Sequence, residues 1–229
     1  MQLWIDGKNI ETTVDQYIKS IYAPRMKTSS VYETTYRYYL AQMTDTRIAR
    51  LTNLPGVLAE ERGIVLPLFG RHYHISQYSI TDSSGKQPGF DICVMLSKFV
   101  LLSPAHIPTD SDWVTFRGLK DSGPLTVYFS DNVERAIASR FSGNIGELQA
   151  ATRQLGGYPP EMLVHYDLSI QLDALPRLPV ILLFNDKDDE FPATCSLLFE
   201  RRAEAFLDPE CLAMMGRLLY SWLSHGETF

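Results

Sequence analysis

The residue pattern predicts an α+β fold: a mixed, mainly antiparallel sheet with helices packed on it. Three observations carry this. Helical spacing and capping signatures fill residues 1–55. A β-branched and aromatic pattern replaces them after the Leu54-Pro55-Gly56 turn. In the last third, alternating and fully apolar runs precede a single closing helix. We expect one domain over 1–229, helical over about 1–55 and α/β over 56–229. No internal repeat, low-complexity stretch or long linker divides it.

Thr13-Val-Asp-Gln16 reads as a capping box, followed by Val14, Tyr17, Ile18 and Ile21 at helical spacing. Pro24 stops that helix, because it disfavours α geometry in the residue before it. Ser30-Val-Tyr-Glu33 repeats the capping signature. Behind it, Tyr32, Tyr36, Tyr39 and Met43 fall on one helical face. This stripe is either core or a docking face, since tyrosine suits half-wet surfaces. A short helix is expected over Asp45–Thr52.

Gly63–Phe69 reads as a strand, with Pro67 pointing to a sheet edge. Tyr73, Ile75, Tyr78 and Ile80 extend it into an antiparallel meander, with Asp82-Ser-Ser-Gly85 as a turn. The apolar stretch Phe90–Leu102 is a core helix expected to pack across that meander. It is shorter than the roughly 20 residues needed to span a bilayer. From Ser103 to Pro124 the chain is loop-rich, with Trp113–Phe116 its one apolar knot. Asp131–Phe141 is helical, with Ser130 or Asp131 as the cap. A further helix starts at Asn144 and ends at Gly156-Gly157.

Tyr166, Leu168, Ile170 and Leu172 alternate with polar residues, as in a half-buried strand. Leu175–Pro179 is a connection. Val180-Ile-Leu-Leu-Phe184 has both faces to bury and reads as a central strand. The acidic loop Asn185–Glu190 follows, and Ser196–Glu200 is open between strand and helix. Asp208 caps the final helix, with Pro209 at its first position and Leu212, Met215, Leu219 and Trp222 inward.

Composition narrows the function classes. The net charge is -6 and basic residues are scattered, which disfavours nucleic-acid binding. MQLWIDGKNI carries no signal-peptide pattern. The three cysteines, Cys93, Cys195 and Cys211, contain no CxxC pair and fit reduced thiols in a cytoplasm. We expect a cytoplasmic protein without a membrane segment. Its oligomeric state does not follow from the residues.

The candidate chemistry centres on the acidic loop. Asp186, Asp188 and Glu190 alternate, a spacing that can wrap a hard cation, with Asp189 between them. The calcium-loop pattern is absent: counting from Asp186, its glycine and glutamate positions hold Phe191 and Leu197. The bland reading is a solvated strand-to-helix loop. Crowded carboxylates otherwise require a cation, an arginine or backbone donors, so we expect a bound cation or a turn with Asp189 and Glu190 directed inward. His165 and Asp167 are expected on one strand face, where such a pair can do acid–base work. His72 and His74 share a strand face as zinc ligands can, but no third ligand is visible. Cys195 is either a structural thiol or, near a helix start, an activated one. No nucleophile elbow, P-loop or dinucleotide fingerprint is present, so no cofactor follows.

Several short motifs keep a recognisable order: Trp113-Val-Thr-Phe116-Arg117, Gly156-Gly157-Tyr-Pro159, Tyr166-Asp167-Leu168, Leu175-Pro176-Arg177-Leu178-Pro179, Asp188-Asp189-Glu190-Phe191-Pro192 and Leu198-Phe199-Glu200. Together, over roughly Ala41 to Leu223, the chain resembles a bacterial and archaeal family of unknown function. The resemblance implies soluble proteins of anaerobes, some joined to a four-cysteine iron–sulfur segment of the corrinoid-protein type. Two departures stand out. This chain has no four-cysteine segment, and Lys98-Phe99 stands where relatives are expected to carry His-Tyr.

The expectation is therefore a binding or accessory protein, with a corrinoid or iron–sulfur protein as the partner the resemblance implies. A small metal-assisted hydrolase using the acidic loop with His165 and Asp167 is the first alternative. A structural interaction module using the Tyr32–Met43 face is the second.

Overall fold

The computed structural model describes residues 4–5, 8–9, 30–109, 111–162 and 165–226. The helix expected around Thr13–Ile21 lies outside the described residues. The fold is α+β, with two four-stranded antiparallel sheets and a short two-stranded ribbon of β1 (Trp4–Ile5) and β2 (Lys8–Asn9).

Helix α1 (Ser30–Leu40) presents Tyr36 and Tyr39 to the core, and Met43 is buried just past its end. Tyr32 stacks on Phe90 at 4.5 Å. The tyrosine stripe is thus packing surface rather than a docking face. Tyr36 also accepts a 2.8 Å hydrogen bond from the Ile80 N–H, which ties α1 to the first sheet. Helix α2 (Asp45–Arg50) is capped by the Thr44 hydroxyl and continues into a 3-10 turn.

The first sheet is the expected meander, in the order β3 (Leu58–Glu60), β4 (Gly63–Leu68), β5 (Arg71–Ile75), β6 (Ile80–Asp82). Pro67 sits in an interior strand, not at an edge. It is tolerated because β3 pairs β4 only as far as Val65, so no neighbour on that side asks for its missing donor. Phe69 and Gly70 form the β4–β5 turn with φ of 47° and 75°. Left-handed backbone at a bulky phenylalanine is held in place by context: its N–H donates to Ala174 of the other sheet, and its ring packs edge-on to Trp222.

Helix α3 (Phe90–Leu102) is almost wholly buried. It packs beside α1, α2 and the closing helix, and its Asp91 and Cys93 lie near Tyr73 of the meander. The knot at Trp113 is strand β7 (Trp113–Thr115), followed by buried Phe116. The next helix starts earlier than Asp131. It comprises α4 (Thr126–Phe129), a π-helical turn (Ser130–Glu134) and α5 (Arg135–Phe141) without a break, so Ser130 and Asp131 are not caps. Helix α6 (Ile145–Gln154) follows, and Gly156 has the left-handed φ expected past its end.

The second sheet runs β7-β10-β9-β8. Strands β8 (Leu168–Leu175) and β9 (Leu178–Asn185) form a hairpin about Pro176-Arg177. As expected, Val180–Phe184 lies in an interior strand with every residue buried. Ser196–Glu200 resolves as strand, within β10 (Thr194–Glu200). Helix α7 (Pro209–His225) closes the chain, with the Asp208 carboxylate accepting from the Cys211 N–H. Gly216 lets α7 approach α4: a Cβ there would lie 2.5 Å from the Phe129 ring. The buried apolar side chains of both sheets and α1–α7 form one continuous cluster.

Candidate functional site

The acidic loop joins β9 to β10, so it is a strand-to-strand connection and serves no following helix. Its carboxylates are answered by backbone donors. Asp186 Oδ1 accepts from the Gly143 N–H at 2.6 Å and the Lys187 N–H at 2.8 Å. Gly143 has φ of 75°, a left-handed conformation that a side chain would strain, and the end of the Lys187 side chain lies against it. Asp188 Oδ1 accepts from the Glu190 and Phe191 N–H groups. Those two bonds hold the exposed Asp188 carboxyl below the usual carboxylate range. The hydrogen-bonded turn is therefore present, but Asp186 and Asp188 make it. Asp189 and Glu190 face solvent instead of pointing inward.

His165 and Asp167 are not on a strand; both are exposed in the segment before β8. Asp167 does join the loop. Its Oδ2 accepts from the Asp186 N–H at 2.8 Å, while its own N–H donates to Asn185 Oδ1 at 3.2 Å. This reciprocal pair carries the β8–β9 pairing one step past the ladder. Among the expected residues the structure thus brings together Asp167, Asp186 and Asp188. Among the described residues His165 has no such bond. His74 pairs with Glu60 at 3.0 Å, away from this region. Among the described residues no three His, Cys, Asp or Glu side chains are grouped to hold a metal ion.

Beside the loop lies a cleft of about 710 Å³. The π turn and α5 form one wall through Ser130, Glu134, Ala138 and Ser139. The other wall is the loop's end and the start of β10, through Pro192 and Cys195. Glu134 reaches across, and its Oε1 accepts from the Leu197 N–H at 3.1 Å. Burial pushes the Glu134 carboxyl above its ordinary range, and the Leu197 bond offsets only part of that. Cys195 lies on strand β10, not at a helix start. Burial and then the Glu134 charge push its thiol well up, so it is held neutral rather than activated. Phe191, next to the cleft wall, is 65% exposed.

Sequence reasoning missed Glu134, because a lone glutamate inside a helix matches no motif. A signal was available. Phe129, Val133, Ile137 and Phe141 are all buried at a constant step of four. In a regular α-helix that step drifts by about 40° each time. A π turn absorbs much of the drift and swings the intervening polar residues toward the sheet.

A family model described as a domain of unknown function (DUF3786) matches residues 48–222. The chain belongs to this family. The DUF3786 match runs from α2 to α7 and so includes both sheets and the cleft. No curated protein and no solved structure matches the chain. Among the described residues no helix is long and apolar enough to cross a membrane.

Proposed function

We propose that the protein is a binding or accessory protein whose contact surface is the cleft between the π turn and β10, with the acidic loop as its rim. The observation that carries this reading is how the local chemical groups are committed. Asp186, Asp188 and Glu134 each satisfy backbone N–H groups, and Cys195 is a protonated thiol. What remains open is a wall of hydroxyls and small side chains together with Arg135, with exposed Phe191 next to it in the chain. That inventory suits recognition, where an exposed aromatic beside a cleft anchors a partner. The finer expectation, a corrinoid or iron–sulfur protein as partner in the cytoplasm of an anaerobe, rests on the family resemblance. The metal-assisted hydrolase reading needs the loop carboxylates to converge on one cation, whereas Oδ1 of Asp186 and of Asp188 are each turned onto their own pair of amides.

The test is anaerobic co-purification of the full chain from its host, with iron and cobalt measured in the same sample. Wild type is compared with Ser139→Trp, which fills the cleft from an exposed position. A partner retained by wild type and lost by the variant, at unchanged melting temperature, supports the reading. Equal recovery with both proteins places the contact surface elsewhere.

A further inference from the structure

A second hollow, of about 310 Å³, lies between α2 with its 3-10 turn and the segment that leaves α3. It shares no lining residue with the cleft beside the π turn. Its lining divides by chemistry. Leu51, Leu54, Val100 and Phe206 are core side chains, each less than a tenth exposed. The α2 side carries Arg47 and Arg50, and among the described residues no carboxylate lines the hollow.

Packing explains one of these arginines and not the other. Arg50 donates to the Ser103 carbonyl at 3.2 Å, at the negative end of α3. Arg47 stands three residues earlier on the same helix face. Among the described residues its guanidinium has no hydrogen bond and no ion pair. Helix α2 does not need it as a cap. The Ile48 and Ala49 carbonyls already accept from the Leu51 N–H, and Ala49 accepts from the Thr52 hydroxyl as well. Two like charges at this spacing repel each other. In a chain of net charge -6 a lining carboxylate would be the ordinary answer, and the hollow has none.

We propose that this hollow binds a medium-chain monocarboxylic acid, with its carboxylate on Arg47 and its apolar tail against Leu51, Leu54, Val100 and Phe206. Charge sets the head group. The end of α3 offsets roughly half a charge of Arg50. The remaining excess is balanced by one carboxylate and overshot by a doubly charged phosphate. A planar carboxylate also matches a guanidinium through two parallel hydrogen bonds. Volume sets the tail. At roughly 30 Å³ per water displaced, the hollow holds about ten waters, or an acid of about ten non-hydrogen atoms. That is the small end of the usual range of ligand sites.

The probe is octanoate, titrated calorimetrically into the full chain. Octanol and octylamine are the controls with the same tail, and acetate is the control with the same head group. The expected result is saturable one-to-one binding of octanoate and at least tenfold weaker binding of all three controls. Arg47→Gln should weaken octanoate at least fivefold. Ala105→Trp, which fills the hollow from an exposed lining position, should abolish binding. Arg62→Gln, at an exposed arginine in the β3–β4 turn, and Ser139→Trp, in the other cleft, should leave it unchanged. If Ala105→Trp lowers the melting temperature, the Arg47→Gln comparison decides alone. Equal binding of octanoate and octanol would mean a greasy surface without a head-group site and overturns the proposal. So do equal losses at Arg47 and Arg62, or the absence of saturable binding. Tighter binding of an acetylated tetrapeptide ending in leucine would assign the hollow to a protein C-terminus and also overturns it.

Discussion

The Lys98 ammonium is ion-paired with the Asp208 carboxylate, joining the middle of α3 to the residue that caps α7. Burial opposes the charge on Lys98. Its polar neighbours Cys211, Asp208 and Tyr39 outweigh that, and the ammonium is held above its ordinary range. Removing one partner strands the other half-buried. Lys98→Met should cost about 2–3 kcal/mol. Asp208→Ala should cost about 1 kcal/mol more, because the helix cap goes with it. In urea denaturation the double mutant should be clearly less destabilised than the sum of the two. Additive losses would mean the pair does not couple the helices.

Leu182 is fully buried at the centre of β9. Leu182→Asp buries a carboxylate with no partner and should cost about 4 kcal/mol or more. Loss of the cooperative thermal transition at 25 °C is the expected observation.

Glu134 and Asp188 respond to acid in opposite ways. The folded Asp188 carboxyl titrates below its unfolded value, so its contribution is complete above the ordinary aspartate range and disappears as pH falls through the folded value. Asp188→Ala should lower the melting temperature at neutral pH but not in strong acid. Asp188→Asn, which keeps the acceptor oxygen, should lose less.

The folded Glu134 carboxyl titrates above its unfolded value, so its charge penalises folding at neutral pH; the penalty fades as pH falls through the raised folded value and is gone below the ordinary glutamate range. Glu134→Gln keeps the acceptor for Leu197 and should be at least as stable as wild type at pH 7, with the advantage vanishing near pH 4. Glu134→Ala leaves the Leu197 N–H unpaired and should cost about 1–2 kcal/mol. Melting curves of the three proteins across pH decide this.

A single domain over 1–229 predicts that limited proteolysis cuts near the ends or within 103–124, with no release of two stable halves. Recovery of two separately folding fragments would argue for two domains.

Local rules made much of this fold legible. The Phe90–Leu102 helix, the Val180–Phe184 strand and the Asp208-Pro209 helix start each follow from a few adjacent residues, and the structure has them where expected. What could not be read was set by distant partners. Pro67 argued for an edge because β3 could not be known to stop at Val65. Trp113–Thr115 looked like a knot in a loop because its pairing partner, Leu198–Glu200, lies far along the chain. At the candidate site the crowding of acids was visible, and backbone donors were among the answers considered. That one of those donors would be Gly143, from a turn some forty residues earlier, is a product of the tertiary fold.

Helix α7 touches α3, α4, α5, α6 and the π turn between them. These elements are all synthesised before it, and each has part of its inner face covered by it. Before Pro209–His225 has left the ribosome, the surfaces of those elements that it covers stay exposed. A stop codon shortly before Pro209 would yield a sticky product fit for a chaperone or a protease, not a slightly smaller protein.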